Sequence, residues 1–407
     1  MDIHSSANLE PDAVVDRGIG TVNGKTASVG SGTIIYHKVT LDNKVAKKGK
    51  RHPDIRKNVI IGAEIKILGP VYVGNNSKIG VNSVVVQHNV CKNDTFVGTQ
   101  ARSMQKRKGI TMNIIKTIGN TPMVKIEKLD PSGKTYLKLE KNNPGGSLKD
   151  RAVLGMLLNA NESGRLYENV TIIEPTSGNT GISIAMLSSF FNYKAILVMP
   201  ETASVERIKV MKAFGAKVVL TSKEDGMKGS IKKVEELLKE IKPSITLDQF
   251  NNPANSAYHE LTTGPEIFSQ MSGEIDTFVC GTGTGGTLTG VGRALKVFSK
   301  SIRVVAVEPA NSPVLTKGIP GKHRIQGIGP GFIPSILDRN IIDEVVTVSD
   351  EEAFATMHEL HKKEGLLVGI STGANIAASI KLKKSGTTGN IVTVAPDHYE
   401  RYLSENS

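Results

Sequence analysis

The sequence predicts two folds in one chain, an all-β coil built on a hexapeptide repeat followed by a two-lobed α/β domain. Three observations lead there. Apolar residues recur every six positions through much of the first hundred residues. The pattern then changes to short apolar runs alternating with helical stretches. Two of those runs lead straight into turns made of glycine, threonine and serine.

The repeat is strictest where Ile55, Ile61, Ile67, Val73, Ile79 and Val85 stand six apart, with Gly62, Gly74 and Gly80 directly after three of them. Ile3, Leu9 and Val15 keep the same interval, as do Val29, Ile35 and Leu41. A period of six returns each anchor to the same point of a triangular coil and stacks the anchors along its axis, which is a parallel β-helix. The break at 42–54 reads as a loop pushed out of the coil, and the polar stretch "ARSMQKRKGITMN" reads as a linker. The expected organisation is a coil over 1–103, a linker over 104–111 and an α/β domain over 112–407, with a small lobe at about 153–257.

In the second part, "NVTIIEP" (169–175), "KAILVMP" (194–200), "AKVVLT" (216–221), "DTFVCG" (276–281), "IRVVAVEP" (302–309) and "NIVTVAP" (390–396) have the continuous apolar character of buried parallel strands. "SVERIKVMKAFG" and "SIKKVEELLKEI" are helical stretches between strands. Alternation of the two predicts an open α/β sheet with helices on both faces, and the length suits two lobes around a cleft.

Bulk properties exclude several classes. No apolar run is long enough to span a bilayer, and "MDIHSSANLEP" lacks the pattern of a signal peptide, so a cytoplasmic protein is expected. Cys91 and Cys280 form no metal or redox motif. Residues 1–111 carry 17 Lys+Arg against 8 Asp+Glu, a net of +9, while the other residues carry 34 against 31, a net of +3. The basic run Lys44–Lys57 lacks interleaved aromatics and reads as a solvated loop, so neither nucleic acid nor membrane is expected as a partner.

The glycine-rich turns carry the chemistry. "TIIEPTSGNTG" ends a strand and opens a helix, placing Thr176, Ser177, Asn179 and Thr180 where a carboxylate is stabilised by free backbone N–H groups. "VCGTGTGGTLTG" repeats the design, with Gly283, Thr284, Gly285, Gly286 and Thr287 able to wrap a phosphate. Neither turn is a dinucleotide fingerprint or a Walker loop. A carboxylate-sized site, a phosphate-sized site and the amine of Lys149, in "NNPGGSLKDRA", are the parts that hold pyridoxal 5'-phosphate as a Schiff base beside a small amino acid.

Residues 112–407 resemble the cysteine synthase (O-acetylserine sulfhydrylase) family through "IGNTPMVKI", "NNPGGSLKDRA", "EPTSGNTGISIA", "MKAFGAKVVLT", "LDQFNNPAN", "TTGPEI", "GTGTGGTLTGVGRALK", "IQGIGPGFIP", "GLLVGISTGAN" and "PDHYERYL". The resemblance implies a fold-type II pyridoxal-phosphate domain acting on O-acetylserine and sulfide. It assigns Lys149 to the Schiff base, Asn179 to the cofactor's ring oxygen, Gly283 to Thr287 to its phosphate and Ser371 to its pyridine nitrogen. Thr176, Ser177, Thr180 and Gln249 fall to the substrate carboxylate. A phosphoserine donor would call for an arginine such as Arg324. Relatives read Pro-Asp-Ser-Gly-Glu-Arg-Tyr near the C-terminus where this chain has His398 and Tyr399, so a changed wall near the ring or cleft rim is expected.

Residues 2–102 resemble the left-handed β-helix of serine O-acetyltransferase through "DIHSSANLEPDAVVDRGIGTVNGKTASVG", "RHPDIRKNVIIGAEIKILGPVYVGNNSKIGVNSVVV" and "VGTQAR". That family uses a histidine as base, supported by an aspartate that Asp2 matches. Arg17 stands at the histidine's position, and a guanidinium cannot accept a proton at physiological pH. The glycine-rich loop after "VTL" has become "DNKVAKK", whereas His4, Arg51 and His52 are kept. The expectation is an acetyltransferase-like domain without catalysis, with a homo-oligomer formed by β-helix trimers, synthase dimers or both.

Overall fold

The computed structural model describes residues 2–16, 18–42, 52–81, 83–86, 89–90, 92–97, 102–103, 113–176 and 178–405. Arg17, Arg51, Cys91, Ser177, the 104–111 linker and most of the basic run lie outside the described residues, as does all of "DNKVAKK" but Asp42. The chain divides into two compact units, Met1–Thr111 and Met112–Ser407.

Among the described residues the first unit consists of three sheets of two- and three-residue strands, and successive strands as far as Val84–Val86 fall to the three sheets in rotation. Asp2–Ile3, Asn8–Leu9 and Val14–Val15 each begin a different sheet; Val22–Asn23, Ser28–Val29 and Ile34–Ile35 pair with them in parallel. The pairing stays parallel until Arg102–Ser103 turns back against Thr95–Val97. From Val29 to Val85 the six-residue anchors are all at most 2% exposed. Ile3, Leu9 and Val15, at the open end of the stack, are half-buried.

A second buried row stands two residues ahead of the anchors: Ala27, Thr33, Val39, Val59, Ile65, Val71, Ser77 and Ser83. Its polar members are satisfied locally. The hydroxyls of Thr33, Ser77 and Ser83 donate to the carbonyls of Arg56, Gly74 and Gly80 at 2.9, 2.8 and 2.5 Å. Asn58, Asn76 and Asn93 adopt left-handed φ of 56°, 60° and 59° at turns in successive layers. Their amides form a ladder with steps of 3.3 and 3.0 Å. His52 is buried, with Nδ1 2.7 Å from Thr26 Oγ1 and Nε2 3.3 Å from Asp42.

The second unit is built on two sheets. One has the strand order Met123–Ile126, Thr135–Lys138, Ile391–Val394, Thr277–Gly281, Arg303–Pro309, Glu344–Val348, and only its first pair is antiparallel. The other runs Lys217–Thr221, Lys194–Pro200, Thr171–Pro175, Ser244–Ile245, all parallel. Every apolar run named from the sequence contains one of these strands. Met123–Ile126, Thr135–Lys138, Ser244–Ile245 and Glu344–Val348 are not among those runs; the first two are interrupted by lysines, and Ser244–Ile245 is only two residues long. The helices that matter for the site are α1 (Lys149–Glu162), α2 (Asn179–Phe191), α3 (Val205–Ala213), α4 (Gly226–Glu240), α5 (Pro253–Leu261), α6 (Thr263–Gln270) and α7 (Gly286–Phe298). No helix among the described residues is long and apolar enough to cross a membrane.

One buried ionic cluster ties several of these elements together. Arg151, near the start of α1, makes a bidentate pair with Glu140 at 2.7 and 2.8 Å and a second with Glu266 of α6 at 2.9 and 2.7 Å. Lys138, on an unforeseen strand, donates to Glu266 at 2.9 Å, to the Thr121 carbonyl at 2.7 Å and to Gln270 at 2.9 Å. Thr121 and Asn143 complete the shell of Glu140 at 2.7 and 2.9 Å. Burial alone would raise the Glu140 pKa; the Arg151 guanidinium overrides it and, with Lys138 and Thr121, brings it down to about 2.

Removing one partner leaves a buried charge uncompensated. Glu140→Ala is therefore expected to destabilise the second unit by about 3–5 kcal/mol, read from urea unfolding by helical circular dichroism at 222 nm. The pH dependence follows from the same pair. A carboxylate whose pKa falls on folding contributes its stability above its unfolded value of 4.5 and loses it as pH drops toward about 2. Wild type should lose stability across that window and Glu140→Gln should lose less; identical pH profiles would contradict the pairing.

Candidate active site

The second unit encloses a cavity of about 500 Å³ whose walls come from both of its sheets. Four helices deliver their first turns to it. Lys149 is the first residue of α1, Asn179 and Thr180 open α2, Thr287 is the second residue of α7, and Ser371 is the second residue of the helix Ile370–Lys384. Unpaired N–H groups make such helix ends attractive to anions. Of these helices, only α1 carries an acidic residue in its first turn, Asp150, so α2, α7 and Ile370–Lys384 keep their positive ends unneutralised.

The turn before α7 requires glycine. A Cβ on Gly283 would lie 2.3 Å from the Gly327 carbonyl oxygen, and one on Gly286 would lie 2.1 Å from Asn255 Oδ1. Gly285 has a φ of +82°, a conformation that side-chain-bearing residues rarely adopt. Gly283, Thr284, Gly285 and Thr287 face the cavity; Gly286 packs behind it against Asn255. Across the cavity, the turn before α2 brings Thr176 and Thr180 together with Gln249. The Thr180 hydroxyl donates to Gln249 Oε1 at 2.8 Å, and all three side chains are buried.

Lys149 shares the cavity wall with these two turns. Burial lowers its pKa, against the opposing pull of Asp397 and Cys280, and so favours a neutral, nucleophilic amine. Its neighbour Asp150 is raised to about 6 by burial, although the Ser183 hydroxyl and the Gly145 N–H donate to it at 2.5 and 2.6 Å. Cys280, also in the wall, has its thiol pushed up to about 12 by burial, which leaves it an inert thiol.

Asn179 donates its amide N–H to Asp397 at 2.6 Å, and Tyr402 donates to the same carboxylate oxygen. Asn179 Oδ1 and Asp397 Oδ1 are left buried without a partner among the described residues. Buried polar atoms seldom go unpaired, and these two belong to residues of the cavity wall. A buried amine, an anion cradle that only glycine fits, and polar wall atoms awaiting partners match the aldehyde, phosphate and polar ring substituents of pyridoxal phosphate.

Lys149, Asn179, Thr176, Thr180, Gln249, Gly283, Thr284, Gly285, Thr287 and Ser371 therefore converge on one cavity, while Ser177 lies outside the described residues. Asp397, Arg207, Gln326, Tyr402 and Cys280 also line it and were not singled out from the sequence. Arg207 of α3 is buried, donates to Gln326 at 3.1 Å and lies over the Tyr402 ring at 5.2 Å. A helix pattern gives no sign of that role, whereas Asp397 and Tyr402 sit in the quoted "PDHYERYL". Of the change expected from His398 and Tyr399 near the ring or the cleft rim, the part that concerns the cavity wall is corrected. Neither is in the cavity wall; Tyr399 packs edge-on against His361 at 4.7 Å. Arg324 is also outside the wall, with its guanidinium 4.7 Å over Phe354.

Residues 114–397 match the family described as pyridoxal-phosphate dependent enzyme. A cysteine synthase of Staphylococcus aureus is 49% identical over 296 residues, 72% of this chain and 95% of that protein. Among solved structures, the cysteine synthase of Entamoeba histolytica aligns with a TM-score of 0.71 at 39% identity, covering 74% of this chain and 91% of its own. The O-acetylserine dependent cystathionine beta-synthase of Helicobacter pylori aligns with a TM-score of 0.69 at 40% identity, covering 73% and 98%. A match over this much of the chain, to relatives spanned almost end to end, shows that the chain belongs to the pyridoxal-phosphate dependent enzymes.

Proposed function

We propose that Met112–Ser407 is a cysteine synthase that exchanges the acetate of O-acetyl-L-serine for sulfide, giving L-cysteine and acetate. The observation that carries this reading is the meeting of Lys149 with two anion-binding helix ends in one cavity of about 500 Å³. One end suits a phosphate and the other an amino-acid carboxylate. The cysteine synthases at 49% and 39% identity support the same reaction.

Lys149 would take the cofactor's carbonyl carbon, Gly283, Thr284, Gly285 and Thr287 its phosphate, with Gly286 packed behind them, Asn179 its ring oxygen and Ser371 its pyridine nitrogen. Pyridoxal phosphate, when bound, supplies a conjugated ring that draws electron density from the substrate's Cα. Thr176, Ser177, Thr180 and Gln249 hold the substrate carboxylate at the start of α2, fixing which Cα bond faces Lys149. The Lys149 amine, whose pKa burial lowers against the opposing pull of Asp397 and Cys280, takes the Cα proton on Nζ. Ser371 offers a neutral hydroxyl where a carboxylate would hold a proton on the ring nitrogen, which favours loss of acetate from Cβ over a long-lived carbanion. Sulfide then takes the place of acetate.

A second reading keeps the donor and changes the nucleophile to a thiol amino acid, as in cystathionine or lanthionine synthesis. The Helicobacter pylori relative, 40% identical, favours it. Phosphoserine as donor loses support, because Arg324 stands outside the cavity.

For the first unit the proposal is a left-handed β-helix of the serine acetyltransferase kind, without catalysis and serving assembly. The rotation of strands among three parallel sheets and the hexad core support the coil. Arg17 in place of a base supports the loss of activity. Association of the coil in threes and of the synthase unit in twos would make the chain a homo-oligomer.

Lys149→Ala should abolish both the bound-cofactor absorbance and the sulfide-dependent conversion of O-acetylserine. Ser371→Ala should keep the cofactor and slow turnover, whereas Gly285→Asp should lose the cofactor. Retained turnover in Lys149→Ala, or equal cofactor loss in the two other variants, would contradict this division of roles. The intact protein should consume no acetyl-CoA with serine, and deletion of residues 1–110 should preserve cysteine synthesis while reducing the mass seen by light scattering. Serine-dependent consumption refutes the inert reading, and an unchanged assembly (mass falling only by that of the deleted residues) refutes the assembly role.

A further inference from the structure

Helix α5 stands behind the glycine-rich turn, outside the cavity wall, yet two of its side chains reach that turn. Asn255 and His259 are one helical turn apart on the same face, and both are fully buried. The approach is close because α5 crosses α7 at Gly290, where a Cβ would lie 2.2 Å from the Ser256 carbonyl oxygen.

Counting donors and acceptors fixes the hydrogen positions. Asn255 Nδ2 donates to the Gln249 carbonyl at 2.9 Å and to Thr284 Oγ1 at 3.2 Å. A backbone carbonyl only accepts, so Nδ2 must be the atom on that side. Thr284 Oγ1 also accepts from the Gly286 N–H at 3.3 Å. With two donors on its lone pairs, the Thr284 hydroxyl has only its own hydrogen left to offer. His259 contacts two hydroxyls, Thr263 Oγ1 at 2.8 Å from Nδ1 and Thr287 Oγ1 at 3.2 Å from Nε2. Thr263 is fully buried, and His259 Nδ1 is the acceptor its hydroxyl finds among the described residues. Nδ1 therefore accepts from Thr263, the proton of the neutral ring sits on Nε2, and Nε2–H donates to Thr287. The Thr287 hydrogen is then free as well, and both threonines face the cavity.

We infer that Asn255, His259 and Thr263 are positioning residues that occupy the acceptor side of the Thr284 and Thr287 hydroxyls and so aim both O–H bonds at the cofactor phosphate. The inference rests on the proposed role of the turn as phosphate holder. A dianion has only acceptors, so a surface of aligned donors serves it best. Burial pushes the His259 pKa down to about 3, with Glu140, Arg151, Lys149 and Glu266 as the charged groups around it. The ring stays neutral at physiological pH and the hydroxyl directions do not change with protonation.

The test uses the apoprotein, titrated separately with pyridoxal phosphate and with inorganic phosphate, together with the ¹⁵N spectrum of histidine-labelled protein. Wild type should show His259 as the Nε2–H tautomer, unchanged between pH 6 and 8. His259→Leu should bind both probes roughly ten- to a hundredfold more weakly, the scale of hydrogen bonds to a charged group. Thr263→Val should weaken them about tenfold although Thr263 is not in the cavity wall. His259→Gln, with an N–H near the Nε2 position, and Thr263→Ser should recover most of the loss, which separates aiming from folding. An Nδ1–H tautomer in wild type, or wild-type affinity in both His259→Leu and Thr263→Val, overturns the inference. Gly285→Asp separates it from the reading beneath: if that variant binds both probes as wild type does, the turn is not the phosphate holder and the two fail together.

Discussion

The paired carboxylates on Arg151 are the constraint on which the placement of Lys149, the proposed cofactor lysine, depends. A guanidinium held by Glu140 on one edge and Glu266 on the other cannot shift without leaving a buried charge unpaired. Lys149 lies two residues earlier, at the very start of α1, where a helix end would otherwise fray. The cluster fixes that end against α6 and the Thr135–Lys138 strand. The amine of Lys149 is thereby held in place beside the cavity, where burial lowers its pKa.

Given a fixed lysine, the rest of the site is an arrangement of helix ends. The starts of α2 and α7 both reach the cavity, and they differ in their side chains. The α2 end presents Thr176, Thr180 and Gln249, the proposed carboxylate site; the α7 end is stripped to glycine and threonine, the proposed phosphate site, where backbone can close around a ligand. α5 supports the second end from behind. Its contact at Gly290 lets Asn255 and His259 reach the threonines, so packing between two helices becomes a direction for two hydroxyls.

Much of this was legible in the sequence, for physical reasons. A six-residue period survives because each anchor fills the same axis, and all anchors from Val29 onward are buried. The companion row was missed because Thr33, Ser77 and Ser83 are polar, and only the carbonyls their hydroxyls reach make them core residues. Apolar runs revealed the central strands, while Thr135–Lys138 escaped because Lys138 looks solvated until its three acceptors are seen. The glycine turns announced the site, since few other sequences bring backbone so close. Asp397 and Arg207 were invisible as site residues because their positions depend on chain segments far away in sequence. His398 and Tyr399 look like a change at the site by adjacency to Asp397 alone, but they lie outside the cavity wall, where Tyr399 packs against His361.

The proposed chemistry depends on one attachment, that of the cofactor to Lys149. Protein isolated with its cofactor, reduced with borohydride and mapped by peptide mass spectrometry should carry a pyridoxyl group on Lys149. A pyridoxyl group on any other lysine, or none on a preparation that retains the cofactor's absorbance, would contradict it.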